Sequence, residues 1–281
     1  MLEQIVENEP TVRLSFFVGM FAVVIVWEIL SPKRSRLYSR WRRWPSNLGI
    51  VVLNTLLARL MFPVAAVGLA VIAANTQWGL LYLVDWPLWL EVGIAVALLD
   101  FAIYLQHVMF HAVPVLWRLH RMHHTDQDYD VTTGARFHPI EIILSMGIKL
   151  AVVAFLGAPP VAVILFEILL SATAIFNHGN IKMPKAIDNM VRLIVVTPDM
   201  HRVHHSVLVN ETNSNFGFNL PWWDRLFGTY QAQPSAGHHD MVIGLDVFRD
   251  PEDQRLDAML VQPFRVGGKS YAVNRAYDDL C

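Results

Sequence analysis

The sequence predicts an all-α fold: an integral-membrane helical bundle of four or five apolar helices, one pair of them a hairpin, under a cytoplasmic helical cap that carries the histidines. Three observations lead there. The 281 residues are 54% hydrophobic and only 16% charged, too apolar for an ordinary soluble domain. Several apolar stretches are long enough to cross a bilayer. Histidines stand at helical spacing in boxes beside those stretches.

The first apolar stretch, 12–30, has spanning length and an acidic flank (Glu3, Glu7, Glu9), so it reads as a retained helix and not a signal peptide. Residues 33–43, KRSRLYSRWRR, hold six Lys or Arg and no acid, which predicts that this loop is cytoplasmic and the N-terminus outside. A second span is expected over about 48–74, kinked at Pro63 where a backbone donor is missing. Asn75 to Pro87 reads as an outer-face turn with interfacial Trp78, Tyr82, Trp86 and Trp89. A third span runs back from about Leu88 and delivers His107 and His111 to the cytoplasmic surface.

Glu141 to Phe176 is apolar but broken by Gly157-Ala158-Pro159-Pro160, which predicts a helical hairpin entering and leaving by the same face, with arms short enough to reach only part of the way across. From about Met183 the composition turns polar, as expected of a cap. Residues 1–265 are taken as one domain, and 266–281 as a partly disordered tail. The net charge of −2 gives no argument for a nucleic-acid partner, and the single Cys281 allows no internal disulfide.

The chemistry lies in three boxes: His107-x-x-x-His111, His120-x-x-His123-His124 and His201-x-x-His204-His205. Residues three or four apart share a helix face, so each box can aim several imidazoles at one point. Eight histidines exceed the four ligands of a structural zinc site, and two metals are the natural reading. Imidazole suits iron, copper, zinc and nickel alike, so spacing alone leaves the metal open. The glutamate of an H-E-x-x-H zinc hydrolase is absent.

Other residues support or flank the boxes. His178, at the end of the second hairpin arm, suits a ninth ligand. His138, before a proline, either holds a metal or only fixes the start of the next helix. Asp100, two turns before His107, together with Glu141 and Asp199, are candidates to receive the second N–H of ligating histidines, with a helix N-cap as the other role for Asp199. Glu167 is a carboxylate in an apolar arm and should face protein or a polar substrate group. Arg59 and Asn54 raise the same question, whereas His238 and His239 read as surface residues.

The motifs HVMFH (107–111), HRMHH (120–124), RFHPIE (136–141), NHGN (177–180), TPDMHRVHH (197–205), NFGFNLPWWDRLFGTY (215–230) and FRDPEDQRL (248–256) follow one another in order. With these the chain resembles the sterol desaturase and fatty acid hydroxylase superfamily of integral-membrane, histidine-rich di-iron enzymes, over about residues 90–265. The resemblance implies two Fe ions on the box histidines, with zinc able to replace iron on purification. It implies O2-dependent hydroxylation or desaturation of a lipid C–H bond, in an acyl chain or a sterol-like ring, with no catalytic side chain beyond the metal centre. No haem, flavin or G-x-G-x-x-G motif is present, so electrons would come from a separate redox partner protein. The alternative is a non-catalytic membrane metal- or lipid-binding protein derived from such an enzyme.

Overall fold

The computed structural model describes residues 2–267; all but the first two residues of the expected 266–281 tail lie outside that range. The fold is helical, and its only extended pairings among the described residues are two isolated bridges, Pro32 with Ile181 and Ser206 with Ile243. Five segments are long and apolar enough to cross a membrane.

A short α1 (Leu2–Glu7) leads into α2 (Glu9–Leu30), which packs along α8 (Pro160–Asn177). Only Val24 and Glu28 of α2 are buried, and apolar residues such as Leu14, Phe16 and Val23 face outward, as lipid contact requires. The second span differs from expectation. It is two helices, α3 (Arg40–Met61) and α4 (Ala66–Thr76), both lying against α7 (Pro139–Leu156). Pro63 breaks the helix instead of kinking it, and Phe62 before it has left the helical region at φ −124°.

α5 (Leu88–Ala112) returns to the histidine end, and α7 and α8 form the hairpin. Each hairpin arm has 18 residues, about 27 Å of helix, close to the roughly 30 Å of bilayer hydrocarbon. The hairpin tip turns on Gly157 at φ +63°, packed so closely on Gly79 that a Cβ on Gly79 would lie 2.3 Å from the Gly157 Cα. Ala66, Ala70, Ala95, Leu99, Val153, Ala162 and Phe166 form the core between α4, α5, α7 and α8, with small residues allowing close helix approach.

Proline opens four of the helices around the histidines: Pro114 opens α6 (Pro114–His124), Pro139 opens α7, Pro160 opens α8 and Pro198 opens α10 (Pro198–His204). Val113, extended before Pro114, makes the corner that turns α6 back against α5.

The segment between α6 and α7, residues 125–138, is almost wholly buried and held by charge pairs. Arg43 donates from Nε to Asp126 at 2.9 Å and from Nη1 to Asp130 at 2.7 Å, and Glu28 accepts the backbone N–H groups of Val131 and Asn180, each at 2.8 Å. The basic run 33–43 is thus partly internal. Lys33 pairs with Asp199 at 2.8 Å, Arg34 donates to the carbonyls of His238, His239 and Met241, and only Arg36 and Arg42 of the six are exposed. A further helix, α9 (Lys185–Val191), and short turns complete the cap.

Candidate metal centre

Nine histidines converge in two groups. The first holds His107, His111, His120, His124 and His204; the second holds His123, His178, His201 and His205; within each group one ring nitrogen per residue lies within 4.8 Å of the others. All nine are buried.

The two H-x-x-H-H boxes are divided in mirrored fashion. On α6, His120 and His124, one turn apart, face the first group while His123 crosses to the second. At α10, His201 and His205, again one turn apart, face the second group while His204 crosses to the first. Each box thus gives an i,i+4 pair to one group and a single ring to the other. His107 and His111 of α5 add a third i,i+4 pair, and His178 enters from the end of α8.

Hydrogen bonds fix which ring nitrogens point inward. Carbonyl oxygens only accept, so Nδ1 of His107 donates to Phe216 O at 2.8 Å, Nδ1 of His178 to Ala174 O at 2.8 Å, and Nδ1 of His204 to Ser214 O at 2.7 Å. Nδ1 of His120 donates to Glu141 at 2.6 Å, and Nδ1 of His111 lies 3.2 Å from Asn213 Oδ1. Each such Nε2 then carries a lone pair.

Those lone pairs face one another on His107 and His120, whose Nε2 atoms are 3.2 Å apart; Nε2 of His178 stands 3.1 Å from that of His201, whose Nδ1 has no partner among the described residues to fix its tautomer. Two lone pairs repel at this distance unless a cation lies between their rings or one ring is protonated. Protonation is opposed by burial, which with the neighbouring imidazoles pushes His123, His124, His201, His204 and His205 well below the usual range; burial takes His178 down to about 4. Neutral imidazole is the ligating form. Buried ring nitrogens of His111, His124, His204 and His205 have no partner among the described residues, an arrangement that fits the ligation of metal ions.

Aromatic rings wall the groups. Phe137 stacks on His123 with centroids 4.5 Å apart, Trp117 lies 4.8 Å from His111, Phe216 5.1 Å from His111, and Tyr129 5.2 Å from His205. The first group opens on a cavity of about 310 Å³ that runs from His107 and His120 between α2, α5, α7 and α8.

Other sequence candidates sit elsewhere. His138 belongs to neither group: its Nδ1 accepts from Ile140 N and its Nε2 lies 3.2 Å from Leu260 O, so it caps α7. Asp100 touches no histidine. Two turns put it on the face of His107 but about 10 Å along the axis, and it accepts instead from Trp223 Nε1 at 2.8 Å. Asp199 pairs with Arg202 and Lys33; lying two residues before His201 it points away from that ring, and Thr197 is the residue that caps α10. Of the three carboxylates only Glu141 reaches one of the nine grouped histidines. His238 is buried 3.7 Å from Asp199 and not on the surface, while His239 is exposed. Asn54 donates to Phe137 O at 2.9 Å, whereas Arg59 is exposed.

Sequence reasoning missed most of what orients the rings, because the acceptors are main-chain carbonyls of Ala174, Ser214 and Phe216. The one available signal was N-F-G-F: Gly217 N and Phe216 N both donate to the buried carboxylate of Asp224 at 2.8 Å, which holds the Phe216 carbonyl toward His107.

Residues 92–229, which contain all nine histidines, match a family model described as fatty acid hydroxylase. The chain is 29% identical to ornithine lipid hydroxylase OlsE of Rhizobium tropici over 196 residues, 70% of this chain and 57% of that protein. It is 30% identical to alkylglycerol monooxygenase of Homo sapiens over 139 residues, 48% of this chain and 29% of that protein. It is 24% identical to cholesterol 25-hydroxylase of Rattus norvegicus over 148 residues, 52% of this chain and 48% of that protein. The chain thus spans from under a third to somewhat over half of the length of these relatives. No solved structure matches it.

Proposed function

We infer, on the premise that this chain belongs to the sterol desaturase and fatty acid hydroxylase superfamily, that it oxidises a lipid at a C–H bond, by hydroxylation or desaturation, using O2 and two iron ions. The observation that carries this is the opening of the five-histidine group, through His107 and His120, onto a cavity that leads among apolar membrane helices. A metal centre that met only water would have no use for such a cavity.

In this reading His107, His111, His120, His124 and His204 hold one ion, and His123, His178, His201 and His205 the other, with His138 now excluded by its capping bonds. Iron held there supplies activation of O2 for attack on a C–H bond, chemistry beyond the reach of acid and base side chains. The chain's own residues do the rest. Glu141 and the carbonyls of Phe216, Ser214 and Ala174 hold the Nδ1 protons, so that every Nε2 so oriented keeps its lone pair for metal. Phe137, Trp117 and Phe216 exclude water from the rings. The cavity brings the lipid carbon to His107 and His120 without its leaving the apolar phase.

The basic segment supports a cytoplasmic position for the histidine end, and electrons would arrive there from a separate redox partner protein. In a Cys281→Ser background, Leu83→Cys should be labelled from outside intact cells by a membrane-impermeant thiol reagent and Arg36→Cys protected; the reverse pattern would overturn the orientation. The activity itself is tested by mass spectrometry of lipids from cells with and without the gene. One lipid class should gain a hydroxyl or lose two hydrogens only where the gene is present. Identical lipid profiles would favour the non-catalytic metal- or lipid-binding alternative.

A further inference from the structure

The cavity that starts at His107 and His120 ends on charge. Lys149 and Glu167, in the apolar middle of α7 and α8, line its walls together with Arg13 from the second turn of α2. Lys149 donates to Glu167 Oε1, and Arg13 Nη1 lies 3.0 Å from both Glu9 Oε2 and Glu167 Oε2. Charges such as Lys149 and Glu167 in the middle of apolar helices are costly and mark functional pathways.

Helix packing alone does not account for them. Arg13, Lys149 and the carboxylates of Glu167 and Glu141 line the cavity, Glu141 being taken by His120, and the hydrogen bonds of Lys149 use one of its three donors, those of Arg13 one of its five. Glu167 Oε2 faces Arg13 without the alignment of a hydrogen bond, and Gln106 Oε1, on the same cavity wall, has no partner among the described residues. Ser145 and Ser171 add hydroxyls between the charges and the histidines. A cavity built for bare methylenes would not carry this polar track. A second, more apolar cavity of about 400 Å³ adjoins it at Arg13, Phe137 and Ile142 and runs between α2 and α3 past Phe17, Phe21 and Val51.

We propose that Arg13, Lys149 and Glu167 form a recognition site for an anionic oxygen group of the lipid substrate, a carboxylate or a phosphate, while its apolar chain runs along the first cavity toward His107 and His120. Lys149 stands two helical turns beyond Glu141, about 12 Å along α7, so the group bound there sets which carbon reaches His107 and His120. These are specificity-determining residues. The proposal rests on the reading of this cavity as the substrate cavity, and its test is of binding, independent of iron and turnover.

Full-length protein purified in a non-ionic detergent is titrated with decanoate, decyl phosphate, decanol and decyltrimethylammonium, with thermal unfolding as the readout. Decanoate or decyl phosphate should bind at least about tenfold more tightly than decanol, the ratio expected of one charge-assisted hydrogen bond, and decyltrimethylammonium more weakly still. The stronger of the two anions identifies the group. Lys149→Gln should abolish the preference while leaving decanol binding unchanged, and Lys149→Arg should keep it. Equal binding of anion and alcohol by the wild type, or an undiminished preference in Lys149→Gln, would overturn the proposal and leave the charges as a tie between helices. If Lys149→Gln does not fold, Arg13→Gln with Arg13→Lys as its rescue decides in the same way. Anion preference without any lipid oxidation would instead refute the proposed function and leave this site standing.

Discussion

His107 and His120 face each other Nε2 to Nε2 at 3.2 Å, while the Phe216 carbonyl and the Glu141 carboxylate hold the protons on their far nitrogens. The two rings come from different helices and are joined by nothing covalent, so their approach calls for positive charge, from a metal ion or a ring proton, to balance it. In the proposed metal centre Glu141 would act through His120, by fixing its tautomer and raising its basicity.

Replacing Glu141 by Ala should lower metal affinity by about 10- to 100-fold, and Glu141→Gln, which keeps an acceptor, by less. Competition with a chelator of known affinity measures this. Unchanged metal retention in Glu141→Ala would show that the ring needs no orienting partner.

The mirrored division of the boxes makes a stoichiometric prediction. His111→Ala should lower occupancy of the first group and His205→Ala that of the second, each taking the bound metal from about two ions per chain toward one in elemental analysis. Loss of both ions in each variant, with the fold retained, would mean that the groups form one indivisible centre.

Arg43 is buried against Asp126 and Asp130, and its removal leaves buried Asp130 with no cation and Asp126 with only Arg136, at 3.9 Å. Arg43→Ala should cost about 3 to 5 kcal/mol, as for other broken buried pairs. Detergent-solubilised thermal unfolding tests this, and a loss below about 1 kcal/mol would mean that solvent reaches the pair.

Legibility differed by the range of the interaction. The boxes were visible because i,i+4 spacing is local, and the helix entries because Pro114, Pro139, Pro160 and Pro198 mark them. The hairpin was visible through Gly157 and the two prolines after it. The exchange of His123 and His204 between groups was not, since it depends on how α6 and α10 oppose each other. Asp100 misled because sharing a helix face with His107 says nothing of the distance along the axis. Lys33 and Arg34 suggested only a charged loop, although they reach Asp199 and the carbonyls around His238, which lie over 160 residues away. The carbonyls of Phe216, Ser214 and Ala174 leave no mark in a sequence, because every residue has one.

The most direct test of the whole account is oxygen incorporation. Iron-loaded protein in vesicles of its own cells' lipids, with a competent electron donor under 18O2, should yield a lipid carrying a single 18O atom, or one that has lost two hydrogens, and His124→Ala should yield neither. Oxidised lipid formed undiminished by His124→Ala would contradict the assignment of the histidines, and no lipid product from the wild type with any donor would contradict the oxidation itself.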